Sequence, residues 1–301
     1  MIIDSHAHYS VFQYQNQFPY LDGNADGLFR NHGTRKEMFT RMREEGIAFC
    51  IEPSVHSCHW EAQLAVAKEY PSYIRCALGV HPKYCMETAW EERNTLSAYA
   101  KTENIVAIGE AGLDYSIAEE ECSRSYQKEW FIFQIGLAHA LRLPLILHIR
   151  NAHRDALEIL EAHRDRLHGG SVHCFTGDTE TALRYIRLGL ALGIGGRLLH
   201  DNGEAEILKE TVRNIPISSI LAETDAPYVL PDLTDVQGSK KQKSKLRNTS
   251  LLLPCVIKEI ARLRGESLET VEQAVFENTL RIFGLGESVP AFPTESAANR
   301  R

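Results

Sequence analysis

No run of apolar residues in this 301-residue chain approaches the ~18 needed to cross a bilayer as a helix, so no membrane span is expected. No basic segment with a small-residue cleavage site stands at its start, so no secretory signal is expected either. Internal repeats and low-complexity tracts are absent. The seven cysteines (Cys50, Cys58, Cys76, Cys85, Cys122, Cys174 and Cys255) are odd in number and contain no Cys-x-x-Cys pair. That argues against a zinc–thiolate cluster and for reduced thiols in a cytoplasmic protein. Basic charge is not in excess. Lys and Arg number 33 against 40 Asp and Glu, a net −7, which argues against a protein that coats nucleic acid through bulk charge. No obligatory protein partner can be read from the sequence. A composition 44% hydrophobic and 24% charged is that of an ordinary globular chain.

What the chain does have is a regular alternation of strand and helix signals. Strands are expected at about 2–5, 47–51, 74–79, 105–109, 145–148, 171–174, 189–194 and 219–224. Between them lie helical stripes. Trp130, Phe133, Leu137 and Leu141 recur at spacings of 3, 4 and 4, and Leu252, Val256, Ile260 and Leu263 make a second stripe. Gly46, Pro144 and Gly189 fall just before strands, where helices should end. Most strand runs are apolar on both faces, as in a parallel sheet covered by helices.

Six residues at the ends of these runs carry most of the chemical information: His6, His8, Glu110, His148, His173 and Asp225. His6 and His8, at i and i+2 after Ile2-Ile3-Asp4-Ser5, face the same way and can reach one ion. Glu110 follows a buried run and has glycines on both sides, at 109 and 112. A buried carboxylate needs a cation or donors, and its two oxygens can bridge two ions ~3.5–4 Å apart. His148 ends Leu145-Ile146-Leu147, His173 follows Ser171-Val172, and Asp225 follows Glu223-Thr224. Asp225 can ligate a metal, accept a proton from water, or do both. Four histidines and two carboxylates exceed what one divalent cation needs. The expectation is therefore two divalent ions, Mg, Mn or Zn, and metal-assisted hydrolysis, with Glu110 and Asp225 as catalytic carboxylates.

Convergence of these residues also decides the architecture. An open doubly wound sheet and a closed (β/α)8 barrel both fit the alternation. In an open sheet the first and last strands lie far apart, whereas in a barrel the eighth strand adjoins the first and all C-terminal ends face one mouth. The expected fold is therefore α/β, a single (β/α)8 TIM barrel over residues 1–285, with a flexible tail over 286–301.

Other residues carry weaker readings. Arg150, two positions after His148, can hold a phosphate oxygen bidentately. His81, in Gly79-Val80-His81-Pro82, is a candidate substrate contact. Glu223 is expected to orient a ligand from behind, and Asp114 reads as a turn or helix-start residue. The basic run of Lys240, Lys241, Lys243, Lys245 and Arg247 falls after the last strand, where barrels often bind phosphate; Lys240 and Lys241 are the candidates there. Residues 9–33 read as a long aromatic and polar connection, with Tyr9, Phe12, Tyr14, Phe18, Tyr20 and Phe29 available to stack on a base. His32, His56, His59, His139, His153, His163, His168 and His200 read as surface or packing residues.

The set His6-Ala7-His8, Gly79-Val80-His81-Pro82, Ile108-Gly109-Glu110-Ala111-Gly112-Leu113-Asp114-Tyr115, His148-Ile149-Arg150, His173-Cys174-Phe175-Thr176-Gly177 and Glu223-Thr224-Asp225-Ala226-Pro227-Tyr228 closely resembles the TatD family of metal-dependent hydrolases. Asn278-Thr279-Leu280-Arg281-Ile282-Phe283-Gly284 looks like that family's last helix. The resemblance runs over about 1–285 and implies an amidohydrolase-type barrel and a magnesium- or manganese-dependent deoxyribonuclease, commonly a 3′ to 5′ exonuclease acting on a DNA end. Carried over, His6, His8 and Asp225 would hold one metal, His148 and His173 the second, and Glu110 would bridge. Two features depart from the family pattern: the long 9–33 segment, and Arg247-Asn248-Thr249-Ser250, which lacks the usual proline. The rival reading is a hydrolase of a carboxylic ester, amide or lactone on the same barrel.

Overall fold

The computed structural model describes residues 1–286 except 12, 13, 15, 25, 26, 119 and 235. The expected tail lies, from 287 on, outside the described residues, as does Phe12. The chain runs through β1 (Ile2–Asp4), a hairpin of β2 (Phe18–Asn24) and β3 (Gly27–Gly33), then β4 (Ile47–Pro53), β5 (Ile74–Leu78), β6 (Ile105–Asp114), β7 (Leu145–Arg150), β8 (Gly170–Val172), β9 (Leu190–Ile194) and β10 (Ile220–Ala222). The hairpin stands apart; the other eight strands pair in parallel in the order β1-β4-β5-β6-β7-β8-β9-β10. The last strand returns to the first. Ser5 N–H donates to Ala222 O at 3.0 Å, Asp225 N–H to His6 O at 2.9 Å and His8 N–H to Ala226 O at 2.7 Å. The result is a (β/α)8 barrel.

The crossovers are α1 (Arg35–Glu44), α2 (Trp60–Glu69), α3 (Glu92–Thr102), α4 (Glu121–Leu141), α5 (His153–Ala162), α6 (Thr179–Arg187) and α7 (Gly203–Asn214). After β10 come the short α8 (Lys240–Lys243), α9 (Leu253–Arg264) and α10 (Leu268–Phe283). The stripes read from sequence face inward: Trp130 and Leu137 on α4 and Val256, Ile260 and Leu263 on α9 are buried. Strand alternation divides the core in two. Ile3, Phe49, Ile51 and Ile146 fill the barrel interior with Phe283 of α10, whereas Ile2, Cys50, Leu145 and Leu147 meet the helices. No helix among the described residues is long and apolar enough to cross a membrane.

Two expectations change. The segment 9–33 is largely an antiparallel hairpin rather than an irregular loop, with Phe18 opposite Gly33 and Asn24 opposite Gly27. Its Tyr9, Tyr14, Phe18 and Tyr20 are buried, packed on one another and on Phe39, so they are core and cannot stack on a base. Phe29 alone among the described aromatics of that segment is substantially exposed, at 46%. Secondly, β6 runs on to Asp114 instead of ending near 109. Its register against β7 steps from Ile108↔Leu145 to Ala111↔Leu147, one extra residue on β6. Such a bulge re-aims side chains locally, and Glu110 sits in it.

Candidate metal centre

The C-terminal ends of β1, β6, β7, β8 and β10 deliver their polar residues to one point at the barrel mouth. Glu110, buried, lies at the centre. Its Oε1 is 3.6 Å from His6 Nε2 and 3.4 Å from His8 Nε2. Its Oε2 is 2.9 Å from His173 Nε2, 3.5 Å from His148 Nδ1 and 3.7 Å from His81 Nε2. The two oxygens of one carboxylate thus face two separate groups of imidazoles. Asp225 Oδ1 closes the first group, 3.7 Å from His6 Nε2 and 3.4 Å from His8 Nε2. Three overlapping sets, His6–Glu110–His173, His6–His8–Asp225 and His81–Glu110–His148, each bring their ligand atoms within 4.8 Å of one another.

This donor set fits divalent cations. His6 Nε2 and His8 Nε2 lie 3.1 Å apart, and His148 Nδ1 and His173 Nε2 lie 2.9 Å apart. Imidazole nitrogens that converge this closely on carboxylate oxygens suit a mixed N/O site. The far sides of two rings are tied down. His8 Nδ1 meets Pro53 O at 3.1 Å and His148 Nε2 meets Asp114 Oδ2 at 3.2 Å, partners that fix the ring and leave the other nitrogen for the centre.

Electrostatics follow from the same geometry. Burial disfavours charge on Glu110, but His173, His81 and His6 overcome it and hold the carboxyl well below its usual range. Burial likewise opposes charge on His8 and His148. In each case neighbouring carboxylates prevail, Asp225 and Glu110 for His8, Asp114 and Glu110 for His148, and push the pKa up to about 9. His173 and His81 go the other way, to about 4 and about 3, because burial is reinforced by nearby imidazoles.

All six expected ligand residues therefore meet, and His81, expected at substrate, also points Nε2 at the centre. Arg150 ends β7, exposed, and lines a cavity of about 360 Å³ together with His148, His173 and Asp225. Lys240 and Lys241 lie on α8, exposed, and line neither of the two cavities that adjoin the centre. Glu223 is buried and accepts Cys174 N–H at 2.5 Å, so it sets the backbone that carries His173.

Sequence reasoning missed several residues. Asp114 is a buried strand residue that holds His148, not a turn. Asp4, fully buried, accepts His6 N–H at 3.2 Å, Thr224 N–H at 3.0 Å and Ser250 Oγ–H at 2.7 Å, and so ties β1 to β10 beside the ligands. Burial raises its pKa to about 6 despite these donors. Arg197 lines the same cavity as Arg150 and donates its Nε–H to Cys174 Sγ at 3.1 Å. Asp4 sits in the His-x-His run, where a buried acid could have been suspected; Arg197, in Gly-Gly-Arg after β9, gives no such signal.

The model of the family described as "TatD related DNase" matches residues 3–284. The "3'-5' ssDNA/RNA exonuclease TatD" of Pantoea ananatis is 32% identical over 252 residues, 83% of this chain and 94% of that relative. Among solved structures, YJJV, a TatD homologue of Escherichia coli, superposes with a TM-score of 0.77 at 25% identity, covering 94% of this chain and 98% of that one. A TatD-family hydrolase of Entamoeba histolytica shares the fold, with a TM-score of 0.74 at 21% identity over 94% of this chain and 97% of its own.

Proposed function

The chain belongs to the TatD-related DNase family, and from that premise and the geometry at the mouth we propose that it is a two-metal exonuclease that shortens single-stranded nucleic acid from its 3′ end. The observation that carries the reading is the division of Glu110: Oε1 toward His6 and His8, Oε2 toward His148 and His173. His6, His8 and Asp225 would hold one ion, His148 and His173 the other, with Glu110 shared and His81 within reach of the second. Mg, Mn and Zn all suit such a donor set. When bound, the ions polarise the phosphoryl group and lower the pKa of a water.

The rest is the chain's own chemistry. Asp225, kept ionised against its burial by His8 and His6, accepts the proton of the attacking water. Arg150 and Arg197 hold non-bridging phosphate oxygens in the polar cavity. Asp114 and Pro53 O orient His148 and His8. Lys240 and Lys241, outside the cavities, hold the strand backbone further along. All seven cysteines are free thiols, which supports a reducing, cytoplasmic setting. The family and the two guanidinium groups favour a phosphodiester over a carboxylic ester.

The test is digestion of 5′- and 3′-end-labelled single-stranded DNA by chelator-treated protein reloaded with Mg2+, Mn2+ or Zn2+, with Glu110→Ala alongside. Stepwise shortening from the 3′ end that needs metal and Glu110 is expected. Intact DNA beside a cleaved carboxylic ester would transfer the activity to carbonyl chemistry.

A further inference from the structure

The centre is flanked by two cavities of different character, and both are bounded by Tyr228. The first carries Arg150, Arg197 and Asp225. The second, about 400 Å³, is bounded by His8 on the side of the centre and lined by Val11, Pro53, Val55, Ala62 and Tyr84. Its described lining contains no Lys, Arg, Asp or Glu. The ring of Tyr228 stands edge-on to His8, with centroids 5.9 Å apart, so aromatic surface reaches the edge of the ligand cluster.

Ser10, Ser54, His59 and Gln63 complete its lining, and two of these polar side chains, Ser54 and Gln63, are engaged within the protein. Ser54 Oγ–H donates to Gly79 O at 2.8 Å, and Ser54 Oγ accepts Gly79 N–H at 2.7 Å. Gln63 Nε2–H donates to Glu52 O at 2.6 Å and to Ala77 O at 3.3 Å. The cavity therefore offers mainly apolar and aromatic surface, with the exposed His59 in its wall. A site of this kind suits an uncharged planar group held by stacking.

Resting on the exonuclease reading above, we propose that this second cavity seats the terminal nucleobase of the strand, while the cavity of Arg150 and Arg197 takes the backbone of the preceding nucleotides. The scissile phosphate then lies over Glu110, between the two. The strand crosses the mouth from the basic side to the apolar side, and its end is recognised by the stacking of its base. The hydrophobic character of Val11, Val55 and Tyr84 beside a hydrolytic centre is accounted for by this occupant.

The test uses metal-loaded protein and two 5′-labelled single strands, identical except that one ends in an ordinary 3′ nucleotide and the other in a 3′ abasic residue. Stacking of one base is worth enough that the ordinary end should be cut about tenfold or more faster, judged by kcat/KM. Ala62 is exposed on α2, so a larger side chain there projects into the cavity without disturbing the core. Ala62→Trp should bring the ratio of the two ends close to one, and Val55→Phe, from another wall, should move it the same way. Ala62→Ser should retain the ratio. Merely structural damage would slow both ends together and leave the ratio unchanged, which would overturn the proposal. So would equal cutting of the two ends by the unaltered protein. Failure to cut either end falls on the exonuclease reading and takes the cavity's role with it.

Discussion

Glu110 and His148 show how much of this centre depends on groups that touch no substrate. His148 has one nitrogen on the Glu110 side and the other on Asp114 Oδ2 at 3.2 Å. Asp114 is itself anchored, accepting Ser116 N–H at 2.9 Å, and its pKa is drawn down to about 2 by His148 and Ser116 despite its burial. Removing such an outer partner commonly lowers metal affinity or activity about 10–100-fold. Asp114→Ala should do so with the fold intact, as read by metal titration and circular dichroism; unchanged affinity would detach Asp114 from the site. A second prediction concerns protons. His8 and His148 are pushed up to about 9, so both are charged at neutral pH in protein stripped of metal. Ligands must be neutral to bind, so loading should expel up to about two protons near pH 7, and affinity should climb with pH until about 9 and then level off. Calorimetry in buffers of different ionisation enthalpy measures the release directly, and a proton count of zero would refute the assigned ligands. The residues that converge on the centre were legible because each ends an apolar run. Asp114 was not, because an acid after a strand reads the same whether it starts a turn or anchors an imidazole.

The hairpin of β2 and β3 is the element the sequence concealed. Phe18-Pro19-Tyr20-Leu21-Asp22-Gly23-Asn24 carries a proline, a glycine and weak alternation, so its strand signal is faint. The turn-forming Asn24 and Gly27 were the available clue. Burial of its aromatics is a tertiary effect, since their partners lie far along the chain. Tyr14 Oη–H donates to Asn248 O at 2.7 Å, Tyr9 Oη–H to Ser250 Oγ at 3.0 Å and Thr249 Oγ1–H to Leu21 O at 3.0 Å. Leu21 N–H and Arg247 N–H complete the seam, donating to Arg247 O and Pro19 O at 3.0 Å each. The two segments that depart from the family pattern, 9–33 and 247–250, are thus one structural unit. Tyr14→Ala should cost about 3–5 kcal/mol, as deletion of a large buried ring does, read from urea denaturation. A loss below about 1 kcal/mol would mean that the hairpin is not part of the core.

At the scale of the molecule, eight of eight barrel strands were legible from apolar runs and their spacing, and the barrel followed from chemistry: only a closed sheet brings the ends of β1 and β10 together. The charge distribution was harder to place. The chain is net −7, yet Lys240, Lys241 and Lys245 stand exposed on the mouth side, beyond β10. A backbone contact on a single strand contributes a salt dependence of ~0.7 per phosphate neutralised. Lys240→Gln with Lys241→Gln should therefore flatten the plot of log affinity against log salt by about 1.4 while leaving hydrolysis of a small phosphodiester too short to reach them unchanged; an unchanged slope would remove both lysines from the strand's path. Gly112 illustrates how tightly the barrel constrains its own site. At φ +141°, any Cβ there would meet His148 O on β7, so strand pairing and ligand placement are a single requirement.

The central claim is that Glu110 joins two ions. The most direct measurement is electron paramagnetic resonance of manganese(II)-reloaded protein with the metal counted, compared with Glu110→Ala. About two ions per chain with an exchange-coupled spectrum, lost in the variant together with 3′-end hydrolysis, is the predicted result. One magnetically isolated ion in the unaltered protein, degrading DNA at full rate, would contradict it.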